Sequence, residues 1–171
     1  ANDNIKLSLD WVPQAEHGGY FQAIAKGYYA DQDIELTIIP GGPSVNTKAM
    51  LMSDQVEFNI GGSAGALNYA KQDLPFRAVA AFFQKTPQVL MSHPNVGIDH
   101  PSDFKGKTIF LSNFGRLSFW GFIKNKYNLS DDQLESYNFN SQPFIDDPQS
   151  IQQGYLSSEP FAIKKAAGFE P

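Results

Sequence analysis

The chain is predicted to be an α/β protein of two lobes with a cleft, on three observations. Apolar residues alternate at a period of two in some stretches and recur at helical spacing in the stretches between, the order of βαβ units. The connections are short and rich in glycine, yet each strand-to-strand excursion is long enough for a right-handed crossover, so a parallel sheet follows. The same rhythm restarts near residue 95, which assigns 1–92 to a first lobe and 93–171 to a second.

Taken in order, Ile5–Asp10 reads as the first strand and His17 to about Tyr28 as the first helix, loosened by Gly27 and followed by a turn at Asp31–Asp33. Ile34–Ile39 is a half-covered strand halted by Pro40-Gly41-Gly42-Pro43. Ser44 is expected to cap a helix holding Val45, Ala49, Met50 and Leu51. Val56–Ile60 is the third strand, and Ala64–Lys71 a short helix. Phe76–Phe83 and Val89–Ser92 suggest two further strands across a tight break, with His93 and His100 in solvated loops. Thr108–Leu111 is a strand, Ser112–Gly115 a loop, and Leu117 to about Tyr127 a helix. A short acidic helix is expected at Ser130–Glu135, strand at Tyr137–Asn140, loop at Pro143–Asp147, a short helix at Pro148–Gln153 and strand at Tyr155–Ser158. Glu159-Pro160-Phe161 opens the last helix with proline in a favoured first-turn place, and Gly168 sits where a C-terminal glycine belongs. Little follows that helix, so the second lobe reads as incomplete at its C-terminus.

Composition narrows the function. The chain is 42% hydrophobic and 18% charged, the balance of a globular protein. A net charge of −5 without a basic cluster argues against nucleic acid, whose phosphates demand a positive face. The absence of cysteine excludes thiolate metal sites, disulfides and cysteine nucleophiles on this chain. No apolar run approaches the roughly 18–20 residues of a membrane span. Entry into a strand straight after Ala1-Asn2-Asp3 fits a mature secreted protein whose signal peptide has been removed.

Three loops leave the same sheet edge: Trp11–Gly19, Gly41–Ser44 and Gly61–Ala64. Ligands of open α/β sheets sit outside the carboxyl ends of strands, where these loops lie. Trp11 offers a flat face to stack on a ligand ring, or else caps the core. Gln14 and His17 supply hydrogen-bonding groups, and Gly18-Gly19 leave helix N–H groups accessible or merely turn the chain. Gly42 and Ser63 are candidates in the next two loops, and Asn113 and Phe114 in the second lobe; turn-making or capping is the structural alternative for the polar ones. Glu159 can accept N–H bonds from a ligand or serve as the first-turn charge of its helix. Phe119 and Trp120 read as core. Gly61–Gly65 lacks the Lys-Ser/Thr ending of a phosphate loop, and Glu16-His17 is not a zinc pattern, so neither a nucleotide triphosphate nor a metal is expected.

Asp10-Trp11-x-Pro13, His17-Gly18-Gly19-Tyr20, Ala25-x-Gly27-Tyr28-Tyr29, Pro40-Gly41-Gly42-Pro43, Gln84-Lys85-x-Pro87, Phe104-Lys105-Gly106-Lys107 and Gly154-Tyr155-x-x-Ser158-Glu159-Pro160 together resemble one family. It is the periplasmic substrate-binding proteins of ABC importers, in the branch shared with the fungal thiamine-pyrimidine synthases. The resemblance spans the chain in order. It implies a type II binding-protein fold, a small aromatic heterocycle such as a thiamine pyrimidine precursor held between lobes, a membrane permease as partner, no cofactor, and a periplasmic or extracellular location. Family members run well beyond this length, so a fragment is expected. The alternatives it leaves are a sulfonate-binding protein and a pyrimidine synthase-like enzyme using pyridoxal phosphate, in which Lys48 is read as the Schiff-base lysine, against its reading as a solvated residue on a helix face. The synthases carry a cysteine-rich motif that this chain lacks, which favours transport binding over catalysis.

Overall fold

The computed structural model describes residues 2–171. The chain divides into two compact units, one ending at Gly61 and one spanning Gly62–Pro171. The repeat in the sequence places the lobe boundary at 92/93 instead. The difference lies in residues 62–92, whose strand β4 (Gln88–Ser92) hydrogen-bonds into the sheet of the second unit.

The first unit holds a three-stranded parallel sheet of β1 (Asp3–Ser8), β2 (Ile34–Ile39) and β3 (Phe58–Asn59), in the order β2-β1-β3. Leu7 of the central strand pairs Ile38 on one side and Phe58 on the other. Helix α1 (Gly18–Ala25) crosses from β1 to β2, and α2 (Thr47–Met52) from β2 to β3. α1 ends at Ala25, short of the expected Tyr28, where Gly27 takes a left-handed φ of 76°. α2 is capped by Asn46 rather than Ser44: the Asn46 side chain accepts the Ala49 N–H at 3.0 Å. β3 keeps only two of the expected five residues because the Glu57 carboxylate takes the Lys6 N–H at 2.7 Å, where a ladder bond would run.

The second unit holds a mixed sheet ordered β4-β7-β5-β6. β5 (Ile109–Leu111) lies parallel to β6 (Leu134–Ser136) and to β7 (Ile151–Tyr155), and β4 runs antiparallel to β7. The helices of this unit are α3 (Ser63–Lys71), α4 (Asn113–Ser118), α5 (Trp120–Tyr127), α6 (Gln142–Asp146) and α7 (Glu159–Ala167). Ile98, Phe104, Ile109, Leu111, Trp120, Leu129 and Ile151 form one core cluster, and Met91, Phe144 and Ile163 another. Trp120 is core as expected, and its indole N–H donates to Asp131 at 2.7 Å.

Several sequence expectations fail in this unit. Phe76–Phe83 forms no strand, and Val79 and Phe82 are about three-quarters exposed. Residues 112–115 open helix α4 rather than a loop, with the Ser112 hydroxyl accepting the Gly115 N–H at 3.3 Å. Ser130–Glu135 is a 3-10 turn running into β6, and Tyr137–Asn140 lies past that strand. Pro143–Asp147 falls mostly in α6. No helix forms at Pro148–Gln153, whose second half from Ile151 belongs to β7, a central strand, and Leu156–Ser158 is turn. β7 carries Gln152, Gln153 and Gly154, all buried, so it lacks the apolar signature of a strand. His93 is buried rather than solvated: its Nε2 lies 2.7 Å from the Phe144 carbonyl, and its ring packs on Phe144 and Phe169. His100 is exposed, as expected.

Gly41 is where the first unit closes. Its N–H donates to the Trp11 carbonyl at 3.1 Å, and a Cβ there would stand 2.2 Å from the Leu9 carbonyl oxygen. Gly42 has only ordinary contacts, with Val45 and Val12 at 3.7 and 3.8 Å. Gly41→Ala is therefore expected to destabilise by more than about 2 kcal/mol, with Gly42→Ala within about 0.5 kcal/mol of the parent. Urea unfolding midpoints of the two variants check the contrast.

Candidate functional site

In the first unit the loop after β1 is held by its own polar groups. His17 is 2% exposed, and its Nδ1 accepts the Gln14 N–H at 3.1 Å. With Nδ1 accepting, the hydrogen-bond pattern puts the ring proton on Nε2, which donates to Asp10 at 3.0 Å. The imidazole thus ties both ends of the turn together, with neither nitrogen turned outward. Trp11 is only 6% exposed, so its ring is chiefly packed. Gly18 and Gly19 lie exposed in the first turn of α1, with open space where a Cβ would project. Nothing in the protein's own packing requires glycine at either place. Tyr20 follows, its hydroxyl held above its usual range by burial, then by Tyr29 and Asp10. Gly42 lies against Val12 of this loop. The structure therefore joins Trp11, Gln14 and His17 through one turn and brings Gly42 beside it. Lys48 is half-buried on α2.

In the second unit, β5, β6 and β7 are parallel, so the chain leaves all three at the same edge. After β5 come Ser112, Asn113 and Phe114; Asn113 is exposed and Phe114 half-buried. Phe114 lies beside Gly62, one residue before Ser63, which is exposed at the start of α3. The buried Gln153 amide oxygen braces this α4 start, accepting from the Ser112 N–H at 2.7 Å and hydroxyl at 3.1 Å.

After β6 and β7 an open pocket of about 300 Å³ forms between the Tyr137–Gln142 segment and the first turns of α7. Tyr137, Ser141 and Glu159 are among its polar lining residues, and Phe139, Ile145 and Ile163 among its apolar ones. Glu159 is only 5% exposed. Its Oε1 accepts from the Tyr137 hydroxyl at 3.2 Å, and its Oε2 from the Tyr155 N–H at 2.7 Å. Gly154 makes room for it: a Cβ there would sit 2.9 Å from the Glu159 Cβ and 2.8 Å from the Met91 Cε. Glu159 is the sequence candidate that lines this pocket; Ser63, Asn113 and Phe114 do not. Tyr137 and Ser141 are not singled out by the sequence reading. Placing β6 correctly at Leu134–Ser136 puts Tyr137 at its carboxyl end, which is the available signal.

Among the described residues no three His, Asp or Glu side chains gather as a metal set, and no helix is long and apolar enough to cross a membrane.

Residues 14–155 match the model of the family described as NMT1/THI5 like. The chain is 24% identical over 167 residues to a riboflavin-binding protein of Chloroflexus aurantiacus, covering 94% of this chain and 48% of that protein. It is 24% identical over 110 residues to a formylaminopyrimidine-binding protein of Halalkalibacterium halodurans, covering 64% of this chain and 33% of that one. The chain thus spans half the length or less of these relatives. Among solved structures, a candidate lipoprotein of Actinomyces odontolyticus matches with a TM-score of 0.58 at 15% identity, over 91% of this chain and 70% of that one. That match bears on fold alone, an α/β fold of the periplasmic-binding-protein type.

Burial, and next the neighbouring Glu159, raise the Tyr137 hydroxyl far above its usual range, with a hydrogen bond from Ser141 opposing them. A tyrosine raised on folding contributes stability that is full below about pH 10 and falls as pH rises beyond it, because the unfolded chain then gives up the proton first. Tyr137→Phe is expected to flatten the loss of stability between about pH 9.5 and 11, read from urea midpoints across that range.

Proposed function

The chain belongs to the NMT1/THI5-like family, and from that premise we propose that it acts as a solute-binding protein rather than an enzyme. The ligand is a small, flat nitrogen heterocycle of the thiamine-pyrimidine-precursor kind. The protein works outside the cytoplasm and hands its ligand to the membrane permease of an ABC importer.

One observation supports this most. A carboxylate that is almost wholly buried lies on the wall of an open pocket at the carboxyl ends of parallel strands. Each Glu159 oxygen receives one donor from the protein, and a carboxylate oxygen has two lone pairs. Capacity therefore remains for N–H groups of a ligand. The names of the two relatives fit that chemistry, since riboflavin and formylaminopyrimidine are both nitrogen heterocycles bearing N–H donors. A sulfonate would meet like charge on this wall, which disfavours the sulfonate alternative.

Calorimetric titration with an aminopyrimidine, riboflavin and ethanesulfonate, which carries no N–H donor, tests the proposal. An aminopyrimidine or riboflavin is expected to bind, and ethanesulfonate not to. Glu159→Gln should weaken binding about tenfold or more, the scale of a hydrogen bond to a charged group. Tight binding of ethanesulfonate, or an unchanged affinity in Glu159→Gln, would overturn it.

A further inference from the structure

Among the described residues other than glycine, six take a left-handed φ. Five are Asp or Asn, whose short polar side chains tolerate that backbone: Asp33, Asp54, Asp73, Asn95 and Asn128. The sixth is Phe139, at a φ of 61°. A bulky side chain crowds the backbone there, so the conformation is strained. The local sequence, Asn138-Phe139-Asn140, has a better-suited residue on each side. The chain nonetheless puts the ring at the strained place.

The segment is held before and after that residue. The Tyr137 N–H donates to the Leu111 carbonyl at 3.1 Å, and its hydroxyl donates to Glu159 at 3.2 Å. The Asn140 side-chain oxygen accepts the Gln142 N–H at 3.0 Å. Phe139 stands between these anchors. Its ring does not serve the core: it is 51% exposed and belongs to neither core cluster. It lines the pocket that Glu159 also lines. An apolar ring is thus kept half in water, on a backbone that its neighbours in sequence would adopt more easily, beside a buried carboxylate. Strain of this kind persists where the surroundings over-determine it, and it gathers at ligand clamps.

We propose that Phe139 is a specificity-determining residue whose ring packs on the flat face of the heterocycle while Glu159 takes the N–H groups at its edge. This rests on the solute-binding reading of the same pocket. Aromatic rings attract one another beyond the area they bury, in offset or edge-to-face arrangements. Carboxylate and ring together therefore select ligands that are both planar and N–H-bearing. A saturated ring would keep the donors and lose the face.

An aminopyrimidine and riboflavin are titrated calorimetrically into the parent, Phe139→Tyr, Phe139→Leu, Phe139→Asn and Glu159→Gln, and the variants are compared on whichever ligand the parent binds. Phe139→Tyr keeps a ring face and is expected to bind within about twofold of the parent. Phe139→Leu keeps an apolar side chain without that face and should weaken binding about three- to tenfold. Phe139→Asn should weaken it at least as much. Its urea midpoint without ligand should nevertheless equal or exceed that of the parent, because asparagine suits the left-handed backbone. A ring that merely supported the fold would lower affinity and midpoint together. Affinities within about twofold of the parent in both Phe139→Leu and Phe139→Asn would overturn the proposal, as would a loss in Phe139→Tyr equal to that in Phe139→Leu. A Phe139→Asn protein that unfolds at lower urea than the parent, or does not fold, would overturn it too. If Glu159→Gln weakens binding and Phe139→Leu does not, the role of the ring fails and the solute-binding reading stands. If neither heterocycle binds the parent, the solute-binding reading fails and the role of the ring with it.

Discussion

A carboxylate removed from water must have its oxygens hydrogen-bonded, and the strand-exit edge of the second unit is arranged around that requirement. Glu159 needs the Tyr137 hydroxyl, so the segment after β6 must fold back toward α7. It needs the Tyr155 N–H, so β7 must end one turn before the helix begins. It needs a bare Cα beside it, so position 154 is glycine. Pro160 then fits without a lost hydrogen bond, because the first helical N–H groups have no partner within the helix. The Gly-Tyr-x-x-Ser-Glu-Pro run is thus a set of conditions for burying one charge while leaving part of it facing a pocket.

The first unit meets a related demand with an imidazole. The turn after β1 is closed by His17 bridging Asp10 and the Gln14 N–H, and the turn after β2 lies across it at Gly41. The steric limit at Gly41 is severe because its nearest neighbour is backbone, which cannot rotate aside as a side chain can. His17, expected from sequence as a ligand contact, has both nitrogens committed within the turn. What the imidazole does is hold the shape of the loop that carries Trp11 and leads into Gly18 and Gly19.

What can be read from sequence follows from where the driving force is local. β2 is legible to the residue, because Ile34–Ile39 alternates and is stopped by proline and glycine. α7 is legible at both ends from Pro160 and Gly168, signals that act within one turn. β7 is not, because its polarity is satisfied by residues distant in the chain: Ser112 for Gln153 and Ser141 for Gln152. Phe76–Phe83 has the composition of a strand, yet no strand pairs with it in the described residues, and composition alone does not supply a partner. Trp11 and Glu159 are both site candidates by sequence; Glu159 lines the pocket described above, whereas Trp11 is buried, and its place in a loop does not decide between stacking on a ligand and capping the core. Tyr137 escapes a sequence reading because its role depends on where β6 ends, and Asp131, Asp132 and Glu135 before and within that strand resemble helix.

Helix α7 has one anchor at each end. Glu159 begins it, and just past Gly168 the Phe169 ring stacks on His93 at a centroid distance of 4.3 Å. Nine residues make a rod about 13 Å long. A rod pinned at two points cannot absorb a push at one tip by bending locally; it tilts or slides as a whole. A displacement of the whole helix would therefore move the Glu159 end and the Phe169–His93 stack together, so the packing at one end limits the freedom of the other.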